Sequence, residues 1–425
     1  MPIESGKAQG RLGLGALLAA LAGIYVTQTL VTTIAMQSLP ALLRQAGASL
    51  QLVGLSSLFM LPWALRFLWA PAVERWRLPM DRVQRRSRTL ILRGQWLLAA
   101  GMVVVAGVAA AGGLSLQAHG AGLLALFFLA AVLAATVDIA CGGFAVDQLT
   151  QDRRGWGNTA KVGGSYLGML LGGSAFLLLA DRHGWPLALG AGGAAIVLLS
   201  LPLLAVSEPQ RSQAAHGFAR PSLGHALRRP QVRRGLLLAF ALGAGVRTAI
   251  GMVGPLLLDK GASMAELAWL FGAFSVGAGL AGTACGGLLV RWAQGWRAVW
   301  MAVVLEAAVL ASLAWGAMHL PLAEVTVLVG LLFASMACGF VAIYSALMGL
   351  ASPSQPGVDF ALFQCADALM AMLGGMAGGW LAQHSGYGAC FALAAALAAG
   401  AAGLALHAGQ GLGAAGSMKA EVGES

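Results

Sequence analysis

Charge is scarce in this chain of 425 residues: Asp, Glu, Lys and Arg together make up 10% of it, against about 25% in an ordinary soluble protein. With 59% hydrophobic residues and a mean hydropathy of +0.79, that scarcity excludes a soluble globular enzyme. Cysteine is sparse as well. Cys141, Cys285, Cys338, Cys365 and Cys390 lie in apolar stretches and no two form a CxxC pair, so no disulfide framework is expected. The 7 His show no pair at metal-ligand spacing, which argues against a metal centre. No P-loop pattern occurs, so ATP hydrolysis is not expected on this chain, and no cofactor is implied. What the chain does have is glycine, 60 residues without a G-X-Y period, a pattern that is neither collagen nor polar disorder.

Crossing a bilayer takes about 20 largely apolar residues, and twelve segments meet that length. Numbered along the chain, the first six are 12–39, 51–73, 89–112, 121–147, 159–180 and 186–206. The second six are 235–258, 265–290, 298–319, 325–350, 359–383 and 386–407. A transmembrane barrel strand needs only about 10 alternating residues, so the expected class is an all-α membrane protein. Segment 1 reads as a span rather than a cleaved signal, because its apolar run is too long for a signal core. Of the 26 Lys and Arg, only Arg44, Arg182 and Lys260 fall between segments on one side. Arg66, Arg93 and Arg247 lie inside segments or at their ends, and the remainder, Lys161 included, fall on the other side. The positive-inside rule then places both termini in the cytoplasm. The net charge of +10 and pI near 10.0 are thus topological, and nucleic acid is not an expected partner.

The longest polar stretch, 207–234, carries six arginines and three prolines. It divides the chain into a first bundle (1–206), a basic cytoplasmic linker (207–234), a second bundle (235–410) and a cytoplasmic tail (411–425). The halves echo each other. Leu-Ala-Asp-Arg-His-Gly-Trp at 179–185 ends segment 5, and Leu-Ala-Gln-His-Ser-Gly-Tyr at 381–387 ends segment 11. A six-plus-six duplication is the pattern of parallel-repeat secondary transporters. An intramembrane enzyme would need clustered acid, base or metal ligands; a sensor would need a soluble output domain. Neither pattern is found.

The loop after segment 2, Ala70-Pro-Ala-Val-Glu-Arg-Trp-Arg77 with Arg82, Arg85 and Arg86 beyond, resembles the G-x-x-x-D-R-x-G-R-R signature of the major facilitator superfamily. Glu74 stands at the acidic position, Arg75 at the basic one, and Ala70 replaces the glycine. Leu61-Pro-Trp-Ala-Leu-Arg-Phe-Leu-Trp-Ala-Pro71, Asp138-Ile-Ala, Leu167-Gly-Met-Leu and 179–185 are similar to the muropeptide-permease (AmpG-type) branch. That branch carries a second acid where this chain has Gly142, and an aromatic–basic pair where it has Phe144-Ala145. The stretch Asp359-Phe-Ala-Leu-Phe-Gln-Cys-Ala-Asp367 resembles inner-membrane siderophore permeases for rhizobactin and pyochelin. The resemblance implies two pseudo-symmetric six-helix bundles, with segments 1, 4, 7 and 10 around a central cavity and 3, 6, 9 and 12 as scaffold. It also implies a monomeric bacterial inner-membrane importer of a ferric siderophore, coupled to protons, with a muropeptide or other amphipathic solute as the alternative cargo.

Ionisable groups deep in a span are costly and tend to face an interior cavity. Asp138, Arg247, Glu306 and Asp367 stand about 12–18 Å from the nearest cytoplasmic segment end at 1.5 Å per residue. Asp138 is the candidate proton carrier, since a desolvated carboxyl binds a proton readily; a structural charge pair is the plain alternative. Arg247 is the candidate substrate contact, because a guanidinium forks onto carboxylate or phenolate oxygens, unless it bridges to Asp138 or Asp367. Gln364 and Asp367, three apart, share a helix face and could complete the site. Tyr25 and Gln28 are spaced likewise and, with Tyr344, could line the cavity, while Tyr166 and Trp63 could help enclose a flat aromatic ligand; for each one alone, ordinary packing or an interface anchor is the plainer reading. Glu306 reads as a buried structural acid, Glu74 and Arg75 as gating residues, and Arg66 as a side chain snorkelling to the interface.

Overall fold

The computed structural model describes residues 14–47, 55–79, 84–208, 220–293 and 295–422, the stretch 409–422 as helical backbone only. Lys7, Arg11, Arg82 and the middle of the linker lie outside the described residues. Every regular element among the described residues is helical. Among the described residues ten helices are long and apolar enough to cross a membrane: Leu14–Gln45, Ser87–Ala110, Leu116–Gln148, Gln151–His183, Trp185–Leu204, Pro230–Asp259, Leu270–Ala293, Gly295–His319, Leu322–Met348 and Pro356–Ala408.

Two expected segments account for the difference from twelve. Segment 2 is a broken rod of short pieces: Leu55–Met60, Leu61–Leu65, Arg66–Leu68 and Ala70–Arg77. Pro62 and Pro71 occupy first-turn positions of two of them, where a missing N–H is harmless but an unbroken helix is not sustained. Segments 11 and 12 fall together in the 53 residues of Pro356–Ala408. A straight helix of that length would run about 80 Å, far beyond the ~30 Å of a hydrocarbon core. It is broken at Gly386, whose φ of 83° and ψ of 169° are not helical. Gly184, between segments 5 and 6, has φ 88° and ψ 149°. Both positions need the left-handed freedom of glycine, and they occupy the same place in the repeated motif, so the sequence echo is an echo of turns.

In the first half, segment 1 packs on 5 and 6, and segment 6 on 3; in the second, 7 and 9 pack on the helices of 11 and 12, and 8 on 10. Between the halves, segment 5 meets 8 and 10, while 2 and 4 meet 11. Glycine sets how closely some of these approach. A Cβ at Gly172 would stand 2.5 Å from the Leu30 carbonyl oxygen, and one at Gly164 would stand 2.8 Å from that of Ala22. Ser38 uses the same closeness to donate to the Gly172 carbonyl at 2.7 Å.

The end bearing the basic loops is closed by polar contacts. Arg77 forks onto Glu74 at 2.7 Å through Nε and through its second terminal nitrogen. It also pairs with Asp147 and donates to Ser87 at 3.1 Å. Arg85 reaches Asp147 at 3.1 Å. Burial alone would lower the Arg77 pKa, but the adjacent Glu74 and Asp147 carboxylates outweigh it and raise it above its ordinary value. Glu74 then accepts from the Gly357 N–H of the second half at 3.1 Å. Asp359 gathers the Ser352 N–H, Gln355 and the linker's Arg229. Gln355 in turn accepts from the Ser222 N–H at 3.0 Å. The two signature positions therefore part: Glu74 is held by Arg77, three residues on and on the same helix face, whereas Arg75 turns to the linker and donates to the Pro221 carbonyl.

Three substitutions test this construction by unfolding in detergent. Gly172→Leu is expected to destabilise by about 1–3 kcal/mol through overpacking, whereas Gly375→Ala, which meets nothing within 4 Å, is expected to stay neutral or better. Arg77→Met leaves the buried Glu74 carboxylate without its cation and takes one of two arginines from Asp147, and it is expected to cost about 3–5 kcal/mol; an unchanged midpoint would mean the cluster carries no stability.

Candidate functional site

A cavity of about 320 Å³ lies between the halves. Segment 1 lends it Tyr25 and Gln28, which share a face and are 4% and 6% exposed. Trp63 enters from segment 2, Asp138 from segment 4, Tyr166 from segment 5, Tyr344 from segment 10 and Gln364 from segment 11. Seven of the sequence candidates thus converge on one space. Asp367 lines a narrow side pocket that shares Phe340 and Tyr344 with it. Tyr166 is seated by glycine: its ring occupies the place where a Cβ of Gly279 would lie.

Two ion pairs flank the cavity, one in each half. Asp138 is bound by Arg66, and both side chains are almost wholly withdrawn from solvent. The expectation that Arg66 snorkels to the interface is overturned. Arg66 begins a turn of 3-10 helix, and this tighter local winding carries its guanidinium inward to the carboxylate rather than outward to water. Its Nε has no hydrogen-bond partner. In the second half, Arg247 forks onto Asp367 at 2.6 and 3.1 Å and lies 5.0 Å from the Phe340 ring centroid. Gly243, one turn before Arg247, makes the room, since a Cβ there would stand 2.8 Å from the Asp367 carboxylate. Of the partners open to Arg247, the one it takes is Asp367.

Glu306 stands apart. It is 2% exposed and does not line the cavity. It sits behind segment 10, where a Cβ at Gly339 would meet it at 3.4 Å, and its Oε1 has no partner. Glu74 and Arg75 lie at the closed end described above. No group of three or more potential metal ligands occurs among the described residues.

One cavity residue escapes the sequence reading. Hydropathy puts Lys161 at the start of segment 5, where it counts with the basic residues of the preceding loop, but helix Gln151–His183 begins earlier than expected. That start puts Lys161 ten residues, or about 15 Å, inside the helix, as deep as Asp138 is from Gln148. Lys161 is 6% exposed, lines the cavity, and its Nζ has no hydrogen-bond partner. Three rings surround the ammonium: Tyr344 at 4.1 Å, Phe360 at 4.5 Å and Tyr25 at 5.1 Å to the centroids. Such an aromatic cage offsets part of the cost of desolvating a cation. The signal in the sequence is Asn158, whose amide bonds Ser345 at 3.2 Å and which, like Lys161, falls in a glycine-rich helical stretch.

The sequence profile described as Major Facilitator Superfamily matches residues 21–341. The anhydromuropeptide permease of Escherichia coli (strain K12) is 32% identical over 149 residues, a match covering 35% of this chain and 28% of that protein. Among solved structures, the human organic anion transporter MFSD10 (TETRAN) superposes with a TM-score of 0.70 at 16% identity, covering 93% of this chain and 100% of that one. The E. coli fucose:proton symporter FucP gives 0.67 at 15% identity, over 92% and 98%. At such identities the structural likeness establishes the fold, and the profile establishes the family. The chain belongs to the Major Facilitator Superfamily, as a multi-pass secondary transporter and not an enzyme.

Proposed function

We propose that this transporter imports an amphipathic small solute across a bacterial inner membrane, from periplasm to cytoplasm, by alternating access coupled to proton entry. The observation that carries the reading is Asp138, a carboxylate on the wall of a mid-depth cavity and held by Arg66. Protonation of Asp138 releases Arg66, and loss of the proton restores the pair; a group that exchanges a proton for an internal cation in this way couples proton movement to a change of conformation. In this reading the chain crosses the membrane twelve times as a monomer with both termini in the cytoplasm. The broken rod of segment 2 makes one crossing, and the break at Gly386 separates the last two.

Two cargo classes follow. The similarity to the anhydromuropeptide permease favours a muropeptide, whose sugar and peptide parts suit a cavity of mixed aromatic and polar walls. A small aromatic ferric siderophore is the second reading, favoured by the rings of Trp63, Tyr166 and Tyr344 on the walls. The stretch 359–367 that carries the siderophore resemblance divides its work: Asp359 belongs to the cytoplasmic closure, and only Gln364 and Asp367 border the cavity or its side pocket.

Proteoliposomes test the reading directly. With the outside acidic, the protein is expected to accumulate labelled anhydromuropeptide, or failing that a ferric phenolate siderophore, above protein-free vesicles. Asp138→Asn is expected to abolish accumulation while leaving one-for-one cargo exchange. Undiminished accumulation by Asp138→Asn would remove proton coupling from this carboxylate, and uptake of neither cargo would remove both classes.

A further inference from the structure

The two ion pairs leave the cavity with an unbalanced charge. Asp138 is taken by Arg66 and Asp367 by Arg247, so each pair is neutral. Glu306 is the other acid near this depth and lies outside the cavity. The Lys161 ammonium therefore faces the space with aromatic rings for company and no carboxylate bound to it. Rings soften the desolvation of a cation but supply neither a counter-charge nor an acceptor lone pair. Two more polar groups on the same wall are also unused: the Tyr25 hydroxyl and the Gln28 amide have no hydrogen-bond partner, although both are more than nine-tenths buried. An ammonium, a phenol O–H and an amide N–H₂ converging on one space, all unsatisfied, form a donor set.

We infer that Lys161, Tyr25 and Gln28 form a subsite for a compact anionic group on the transported solute, a carboxylate or a phenolate. The inference rests on the transport reading above and narrows its substrate class. The anion supplies the missing counter-charge and accepts charge-assisted hydrogen bonds, which are about twice as strong as neutral ones. A neutral solute leaves the donors buried and unpaired, so discrimination comes as much from rejecting the uncharged analogue as from holding the charged one. The rival role is internal: Lys161 takes over Asp138 when Arg66 lets go, in which case it matters for proton coupling and is indifferent to the charge of the cargo.

Purified full-length protein in detergent is titrated with two pairs of probes that differ in the anion: N-acetylmuramic acid against N-acetylglucosamine, and salicylate against salicylamide. Tryptophan fluorescence reads binding, since Trp63 lines the cavity. In at least one pair the acid is expected to bind ~10-fold or more tightly than its neutral partner, a difference of one decade in Kd. Lys161→Gln is expected to erase the preference, and Lys161→Arg to keep part of it, with thermal melting confirming that both variants are folded. Equal affinities within both pairs, an unaltered preference in Lys161→Gln, or binding of none of the four probes would each overturn the subsite. Proton-driven uptake that persists when the cargo's anion is amidated would remove the subsite and leave the transport reading standing. Anion binding that depends on Lys161 in a protein that accumulates no cargo would do the reverse.

Discussion

A charge placed inside a hydrocarbon slab must have its partner there too, and that requirement organises the middle of this protein. Arg66 with Asp138 and Arg247 with Asp367 are each drawn from two helices of a single half. Neither pair spans the seam between the halves. Removing one member of such a pair strands the other at a cost of about 3–5 kcal/mol. The pairs therefore fix segment 2 against segment 4, and segment 7 against segment 11, as parts that travel together. A transporter that rocks needs this arrangement: charges neutralised within each rigid half do not have to be separated when the halves turn.

The glycine content is the other side of the same economy of space. Hydrocarbon solvent gives helices no hydrophobic reason to associate, so close backbone approach and filled contacts carry the packing. Gly164 and Gly172 bring segment 5 onto the backbone of segment 1. Gly243 opens the niche in which Asp367 meets Arg247, and Gly142 admits the ring of Phe360, which a Cβ there would touch at 3.0 Å. The positions that resemblance to the muropeptide branch would fill with an acid and an aromatic–basic pair are here Gly142 and Phe144-Ala145. At the first of them, glycine leaves room for an aromatic ring from the other half.

Much of this is legible in the sequence, and the failures have physical causes. Depth along a helix follows from counting residues, so the order of amino acids alone sets Asp138, Arg247 and Asp367 near the middle of the membrane. Rotation about the helix axis also follows from counting, which is why Tyr25 and Gln28 share a wall. Counting fails where the winding changes. Segment 2 shifts between α and 3-10 turns around Arg66, and the direction of that side chain does not carry over from a regular helix. Counting also fails where the helix start is misplaced. A segment 5 that starts at 159 rather than at Gln151 makes Lys161 look like a loop cation obeying the positive-inside rule. Polar and glycine-rich helix starts carry little hydropathy, so the buried cation is hidden by its own neighbours. Partner choice is the least legible feature: Glu74 turns to Arg77 and not to Arg75 because the chain pairs faces rather than neighbours.

Lys161 differs from the paired charges in one respect, and the difference links the cavity to the closed end. Its rings come from both halves: Tyr25 from the first, Tyr344 and Phe360 from the second. Phe360 directly follows Asp359, the residue that ties Ser352, Gln355 and the linker's Arg229 together at the closed end. A helix is stiff over two adjacent residues, so the closure and the cage cannot move independently. Parting the halves at that end would draw Phe360 away from Lys161, and the ammonium would then lose a contact worth about 0.5–2 kcal/mol. An ion pair inside one half keeps its partner through such a movement unless a proton releases it. Lys161 is thus a cation whose surroundings straddle the seam, and under the proposed alternating access occupancy beside it and opening of the closure are two terms of the same equilibrium.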